Sequence, residues 1–423
     1  MMRPNDVGII GMEWYCPQNY VDQRVLEKED NCEGKYTKGL GQEQMSFCDD
    51  REDIGSILLT VAHRLLAKYP EIKIEQIGRL EVGTESLIDK SKSIKTTIAG
   101  ALGIKDAEGI TSINACYGGT AAFFNSVAWI ESSAWDGRYA MLLCGDIAVY
   151  EKGPARPSGG AGAFAALIGP NAVLVLEPLR STCVLDVWDF YKPKHSEYAL
   201  VDGKLSQACY LRSVDLCWHQ LQQKLSQVQD HMNYFDFYAF HAPYNKLVQK
   251  GFGRLFLSSL SEFDGEEYEA TLFDKTLDIE LRQKSADAFT SKVLPSALLP
   301  KRIGNTYTAS VFLGLCSLVP HLQPNQRILL FSYGSGSLAS MYSLRVTTSI
   351  QDLASRLGDP RVRLDARTAC SFDQFSNALL AREAIYGQCD ISPSSSDLPS
   401  LSSGTFALAH IDEHYRRSYV RID

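Results

Sequence analysis

Asn114-Ala115-Cys116-Tyr117-Gly118-Gly119-Thr120 is the stretch on which the reading of the whole chain turns. It follows a short apolar lead-in and precedes a helical pattern, Ala121 to Glu131, in which Phe123, Val127 and Ile130 recur at i, i+4 and i+7. That stripe predicts a largely buried helix packed against a sheet, with Cys116 at or just before its N-terminus. Free backbone N–H groups and the positive end of the helix dipole stabilise a thiolate there, so the reading expects Cys116 to carry a lowered pKa and to act as a nucleophile. The two glycines let a substrate carbonyl come close to the backbone, with the Cys116 N–H as an oxyanion donor. The same letters also describe a tight Gly-Gly turn around an inert buried cysteine.

Working outward, short apolar runs such as Ala140 to Cys144, Ala163 to Ile168 and Ile328 to Phe331 alternate with helical patterns, which predicts layered α/β architecture. The 423 residues are 45% hydrophobic and 22% charged, enough for two core-bearing halves of roughly 200 residues each. The stretch Arg180 to Ser206 is more polar and less periodic, and it places a boundary near residue 178. A Ser/Pro segment, Asp390 to Gly404, reads as a surface loop before a last strand, Thr405 to Ile411. No short-period repeat is visible.

The bulk properties exclude several classes. A formal charge of -8 argues against a nucleic-acid binder, so any anionic ligand must meet a local basic pocket. The apolar runs fall far short of the roughly 20 residues that span a bilayer. Met1 to Asp6 leads straight into the strand-like Val7 to Ile10, leaving no room for a signal or transit peptide, and the expected location is cytoplasmic. Eleven cysteines without CxxC pairing describe neither a disulfide framework nor a metal site.

A cysteine nucleophile needs a base or an imidazole from elsewhere in the chain. His241 is the best candidate, since it ends the aromatic run Tyr234 to Phe240 and so falls at a strand end. Asn305, in Gly304-Asn305-Thr306-Tyr307-Thr308, sits on a turn where an amide could donate to a substrate oxygen. Tyr333-Gly334-Ser335-Gly336-Ser337 reads as a Gly-rich loop of backbone donors after a strand. Glu85, in Glu81-Val82-Gly83-Thr84-Glu85, closes a strand pattern, and in apolar surroundings its raised pKa would suit proton abstraction from carbon. Each has an ordinary structural alternative: a core histidine, a helix cap, a common turn, an exposed glutamate.

Together these segments resemble the hydroxymethylglutaryl-CoA (HMG-CoA) synthase family, particularly its eukaryotic members. Gly78 to Glu85, Asn114 to Thr120, Trp129 to Ser133, Gly145 to Tyr150, Asp189 to Pro193, Val201 to Ser206, Lys246 to Lys250 and Phe331 to Gly336 all match family signatures, in order, from about Asp6 to Tyr419. The resemblance implies a thiolase-like fold of two pseudo-repeated halves, residues 1–178 and 179–423, in α-β-α-β-α layers. It implies Cys116 as acylated nucleophile, Glu85 as general acid/base and His241 as the group that orients and polarises acetoacetyl-CoA. Tyr150, Ser158, Asp189, Ser206, Asn305, Tyr333 and Ser335 match acyl-pocket positions, and Lys35, Lys246 and Lys250 match positions near the CoA phosphates.

The implied reaction joins acetyl-CoA, acetoacetyl-CoA and water into HMG-CoA and CoA for the mevalonate and isoprenoid pathway. The implied assembly is a homodimer, and the CoA thioesters are substrates, with no separate cofactor. Pro154 stands where an asparagine facing the substrate is expected, and the region from Gly251 to Lys301 looks shortened. The alternatives are a carrier-protein-dependent β-branching synthase or ketoacyl synthase III-like enzyme, and a catalytically silent acyl-CoA-binding paralogue.

Overall fold

A computed structural model describes residues 4–193, 196–259, 263–347, 350–394 and 398–423. Nine strands form its main sheet: β1 (Gly8–Tyr15), β2 (Ile77–Gly83), β3 (Thr111–Ser112), β4 (Tyr139–Ala148), β5 (Gly160–Gly169), β6 (Leu174–Val184), β7 (Phe237–Phe240), β8 (Arg327–Gly334) and β9 (Leu338–Val346). They are ordered β7-β8-β9-β6-β1-β5-β4-β2-β3. The helices that position the site are α1 (Ile54–Lys68), α2 (Gly118–Ile130), α3 (Gly203–Lys224), α4 (Asn245–Arg254) and α5 (Ser310–Leu318).

The sheet narrows where β1 meets β6, through only the pairs Gly8↔Val175 and Ile9↔Leu174. A Cβ on Gly8 would lie 2.0 Å from the Leu174 carbonyl oxygen, so the crossing requires glycine. On one side of this seam lie β3, β2, β4, β5 and β1; on the other lie β6, β9, β8 and β7. Residue 178 falls inside β6, just past the seam.

Strand periodicity sorts the side chains into layers. In β4, Ala140, Leu142 and Cys144 join a central core with Phe123 and Val127 of α2 and Phe312 and Leu315 of α5. The alternate residues Met141 and Leu143 face outward onto α1, packing with Ile57, Leu58 and Val61. In the second half, Ile328 and Leu330 of β8 join the central core. Leu329, Phe331 and Tyr333 turn outward to Tyr210, Val214 and Trp218 of α3. Two helices thus lie between the sheet halves, with α1 outside one and α3 and α4 outside the other, in the α-β-α-β-α order expected.

The helix expected at Ala121 to Glu131 begins three residues earlier, and Phe123, Val127 and Ile130 are buried on it as predicted. The strands around Ala140, Ala163 and Ile328 extend beyond their apolar centres because small and polar residues continue the ladder. The last strand expected at Thr405 to Ile411 forms as Phe406–Ile411 but is not the last: Arg417–Arg421 pairs back on it as a hairpin, charged residues having hidden its alternation. Within the Ser/Pro segment, residues 395–397 lie outside the described residues, as do residues 1–3 of the N-terminal stretch.

Candidate active site

Cys116 stands two residues before α2, buried, with a backbone φ of +56°. Such a φ is unfavourable for a residue with a Cβ and persists only where its surroundings enforce it. Here Tyr117 and Gly118 donate their N–H groups to the Asn114 carbonyl at 3.1 and 3.0 Å, closing the turn from within. From outside, the end of β8 presses on it. A Cβ at Gly334 would fall 1.8 Å from the Ala115 carbonyl oxygen and 2.7 Å from the Tyr117 Cβ.

Glu85 lies two residues beyond β2 and is buried, and its Oε1 accepts the Cys116 N–H at 2.7 Å. The Cys116 thiol faces the same carboxylate. Burial, with the Asp146 charge adding to it, pushes the Glu85 carboxyl up to about 7, against the opposing pull of Lys192 and the Cys116 N–H. The thiol is likewise pushed well above its ordinary value, first by burial and then by Glu85 and Asp146. This corrects the sequence expectation of a helix-stabilised thiolate, because desolvation and two carboxylates outweigh the helix end. It also corrects the expectation of a free oxyanion donor at Cys116, whose N–H is taken by Glu85.

Asp146, on β4, holds this turn in place. Its Oδ1 accepts from the Thr84 hydroxyl (2.8 Å), the Glu85 and Ser86 N–H groups (2.9 Å each) and the Ser86 hydroxyl (2.8 Å). Its Oδ2 accepts from the Thr308 N–H at 3.0 Å and hydroxyl at 2.6 Å. One carboxylate therefore fixes the Glu85 segment against the segment that carries Asn305.

An aromatic wall completes the cysteine's surroundings. Cys116, Tyr150, Phe190 and Tyr307 belong to one buried cluster, with Tyr307 edge-on to Tyr150 at 6.4 Å and to Phe190 at 5.6 Å between ring centroids. Asn305 is buried; its Oδ1 accepts the Tyr307 N–H at 2.9 Å, and its own N–H donates to Gly159 O at 3.2 Å. Ser158 donates to Ala155 O at 2.6 Å and lies beside the Tyr150 hydroxyl.

His241 directly follows β7, as the sequence suggested, with its N–H donated to Phe331 O at 2.7 Å. Its ring stacks on Tyr333 at 6.4 Å, and its Nδ1 is buried with no partner among the described residues. Burial pushes the imidazole down to about 3, so it is neutral across the working pH range. The group bonded to Cys116 is thus Glu85, and His241 is left free for something else. Asp189 ties the Gly-rich turn to the site, accepting from the Tyr333 hydroxyl at 3.0 Å and the Gly336 N–H at 2.9 Å. Ser335 lies beside that hydroxyl.

The lysines lie on two segments that pack together. Lys35 is exposed at the start of a helical turn, Lys35–Leu40, that packs on α4. Gln42 accepts the Asn245 N–H at 3.0 Å and its side-chain amide at 2.6 Å, joining the two segments. Lys246 is half-buried on α4, donating to Gln249 at 2.9 Å, and its pKa is pushed down by burial, then by Arg282 and Lys250. Ser206 lies in the first turn of α3, its N–H on Asp202 O at 2.8 Å. Pro154 is exposed in a turn closed by the Arg156 N–H on Gly153 O at 3.1 Å. Among the described residues no group of His, Cys, Asp and Glu side chains could hold a metal ion.

Two family models match end to end: hydroxymethylglutaryl-coenzyme A synthase N terminal over residues 3–173, and its C terminal counterpart over residues 174–422. The chain belongs to the HMG-CoA synthase family. It is 45% identical to the cytoplasmic HMG-CoA synthase of Homo sapiens, covering 99% of this chain and 88% of that protein. To the HMG-CoA synthase erg13A of Aspergillus fumigatus it is 44% identical, covering 98% and 95%. It also superposes on MvaS in complex with 3-hydroxy-3-methylglutaryl coenzyme A with a TM-score of 0.87 at 30% identity over the whole of both chains. As an HMG-CoA synthase family member, the chain is a condensing, acyl-transferring enzyme with a thiolase-like α/β fold. No helix among the described residues is long and apolar enough to cross a membrane.

Within this HMG-CoA synthase framework the structure adds residues that the sequence reading did not assign to the site. Asp146 and Lys192 stood inside quoted signatures, Gly145 to Tyr150 and Asp189 to Pro193, without a role. Phe190 and Tyr307 likewise stood inside quoted segments without a role, and their signal is only that they neighbour Asp189 and Asn305.

Proposed function

We propose that this protein condenses acetyl-CoA with acetoacetyl-CoA and water to give HMG-CoA and CoA through an acetyl-Cys116 intermediate. The observation that carries the reading is the buried pair in which Glu85 accepts the Cys116 N–H at 2.7 Å and faces its thiol. A carboxylate placed there takes the thiol proton as sulfur attacks the acetyl carbonyl, and passes it to the departing CoA thiolate. The same carboxylate then removes a methyl proton from acetyl-Cys116. Its pKa of about 7 suits that step, since a base poised near the working pH is both available and strong enough.

The resulting enolate attacks the ketone carbon of acetoacetyl-CoA, and the alkoxide so formed takes up the proton that Glu85 had removed, giving the product hydroxyl and restoring the carboxylate. His241, neutral and with a buried unpartnered nitrogen, is equipped to hydrogen-bond the substrate oxygen on which alkoxide charge develops. Water then cleaves the Cys116 thioester, releasing the product carboxylate and restoring the thiol. Tyr150, Ser158, Asp189, Asn305, Tyr333 and Ser335 shape the acyl pocket in this reading. Lys35, Lys246 and Lys250 receive the CoA phosphates, because local charge, not the net charge of -8, makes a polyanion site. Ser206, in the first turn of α3, is included in the same reading. Residues 1–178 supply the nucleophile and base, and residues 179–423 supply His241 and Asn305.

A homodimer, cytoplasmic location and service to the mevalonate pathway belong to the same reading. Supporting the dimer, β3 is the outer edge of the sheet, and Ile110 and Ile113 flank it at 58% and 57% exposure. The relatives favour neither a carrier-protein-dependent synthase nor a silent paralogue. The test is intact-mass analysis after mixing with acetyl-CoA alone, then addition of acetoacetyl-CoA. A Cys116-dependent acetyl adduct consumed to HMG-CoA supports the cycle; CoA binding with neither adduct nor turnover sinks it.

A further inference from the structure

Lys192 belongs to neither of the two turns that carry Glu85 and Cys116. It is half-buried, and its ammonium sits 4.9 Å from the centroid of the Tyr307 ring. That ring packs in the same buried cluster as Cys116. An ammonium over a tyrosine face is attracted by the ring quadrupole and so has a defined seat without a carboxylate partner. Among the described residues no ion pair ties it elsewhere.

The groups facing Glu85 are the Cys116 thiol, Asp146 from β4, the Tyr150 and Tyr307 hydroxyls and Lys192. Lys192 is the cation among them, and it is also the cation that acts on the Cys116 sulfur. The pocket therefore encloses two carboxylates and a sulfur that must pass through an anionic state as it attacks. Like charges so close oppose one another strongly in a dry site, and a single positive charge nearby offsets both.

We propose that Lys192 is a charge-positioning residue of the condensation. From its seat over Tyr307 it supplies the positive charge that lets Glu85 exist as a carboxylate and lets negative charge develop on the Cys116 sulfur. This rests on the reading of Glu85 and Cys116 given above. It goes beyond that reading by assigning the pair's electrostatic balance to a residue on the 186–201 segment.

The experiment compares the parent with Lys192→Met, which keeps the length and removes the charge, and with Lys192→Arg, which keeps the charge. Alkylation of Cys116 by iodoacetamide, followed by peptide mass spectrometry across pH without substrate, reads the sulfur. The pH profile of condensation reads Glu85. In Lys192→Met, Cys116 alkylation near neutral pH falls about 10-fold and the acid limb of kcat moves up by about one pH unit, since a nearby opposite charge shifts a carboxylate by about 1–3. Lys192→Arg keeps both curves close to the parent. Superimposable pH curves for Lys192→Met and the parent overturn the proposal, whatever the loss in rate, and a shift of the same size in Lys192→Arg overturns it too, because burial as well as charge moves a titration. Failure of the parent to form acetyl-Cys116 would instead overturn the catalytic reading, and the alkylation curves would still decide the role of Lys192.

Discussion

Glu85→Gln removes the base while leaving its shape, and it should stabilise the protein as it disables it. Glutamine retains a carbonyl oxygen for the Cys116 N–H, so the turn keeps the hydrogen bond now 2.7 Å long. What it loses is an ionisable group held at about 7 by burial and by Asp146, against an ordinary value of 4.5. The folded parent therefore keeps a proton that the unfolded chain has released between pH 4.5 and 7, and its stability falls as pH rises through that window. At about 1.4 kcal/mol per pH unit, the total is on the order of 3 kcal/mol.

The glutamine variant has no such term. Its advantage over the parent should be near zero at pH 4.5 and grow to about 3 kcal/mol by pH 8, read as the difference in urea midpoints measured across that range. Acetyl-CoA should still acylate Cys116, more slowly because the thiol has lost the carboxylate it faces, whereas condensation should fall by at least about 100-fold. A difference curve flat with pH would refute the buried-charge argument. Near-parental condensation would refute the role of Glu85.

Three further outcomes follow from the geometry. Gly334→Ala drives a methyl group into the Ala115 carbonyl oxygen, 1.8 Å away, so condensation should drop by about 100-fold through displacement of Cys116, with about 1–3 kcal/mol lost in a denaturation series. Asp146→Asn cannot satisfy every N–H its carboxylate now serves, and stability should fall by about 1–3 kcal/mol. Because the lost charge had raised the Glu85 pKa, its acid limb should move to lower pH, opposite to Lys192→Met. Lys246→Ala combined with Lys250→Ala should raise KM for acetyl-CoA several-fold with kcat kept, and the defect should shrink in high salt; a change confined to kcat would place these lysines outside the CoA site.

The fold was legible because its decisive signals are local. The apolar stripe of α2, the buried runs of β4 and β5 and the glycines around Cys116 each announce themselves within a dozen residues. The charge state of the site was not legible. Whether Cys116 is thiol or thiolate depends on Glu85 and Asp146, about 30 residues away on either side, and no local pattern records that the chain brings both to one sulfur. The helix-end argument was sound in isolation and lost to desolvation. Lys192 was hidden for a related reason: a lysine in a polar stretch reads as solvated surface until the ring beneath it is seen.

The attachment of Thr308 to Asp146 and of Gly334 to the Ala115 turn bears on how such a molecule can be recombined. A chimera spliced between residues 173 and 174 would join two complete family segments and preserve every strand. Yet it would ask a threonine inherited from one parent to find a carboxylate inherited from the other, and a glycine to meet a carbonyl with no room for one extra carbon. Mating of the two halves is therefore a lock with tolerances finer than a methyl group. Foreign pairings should fold more readily than they work.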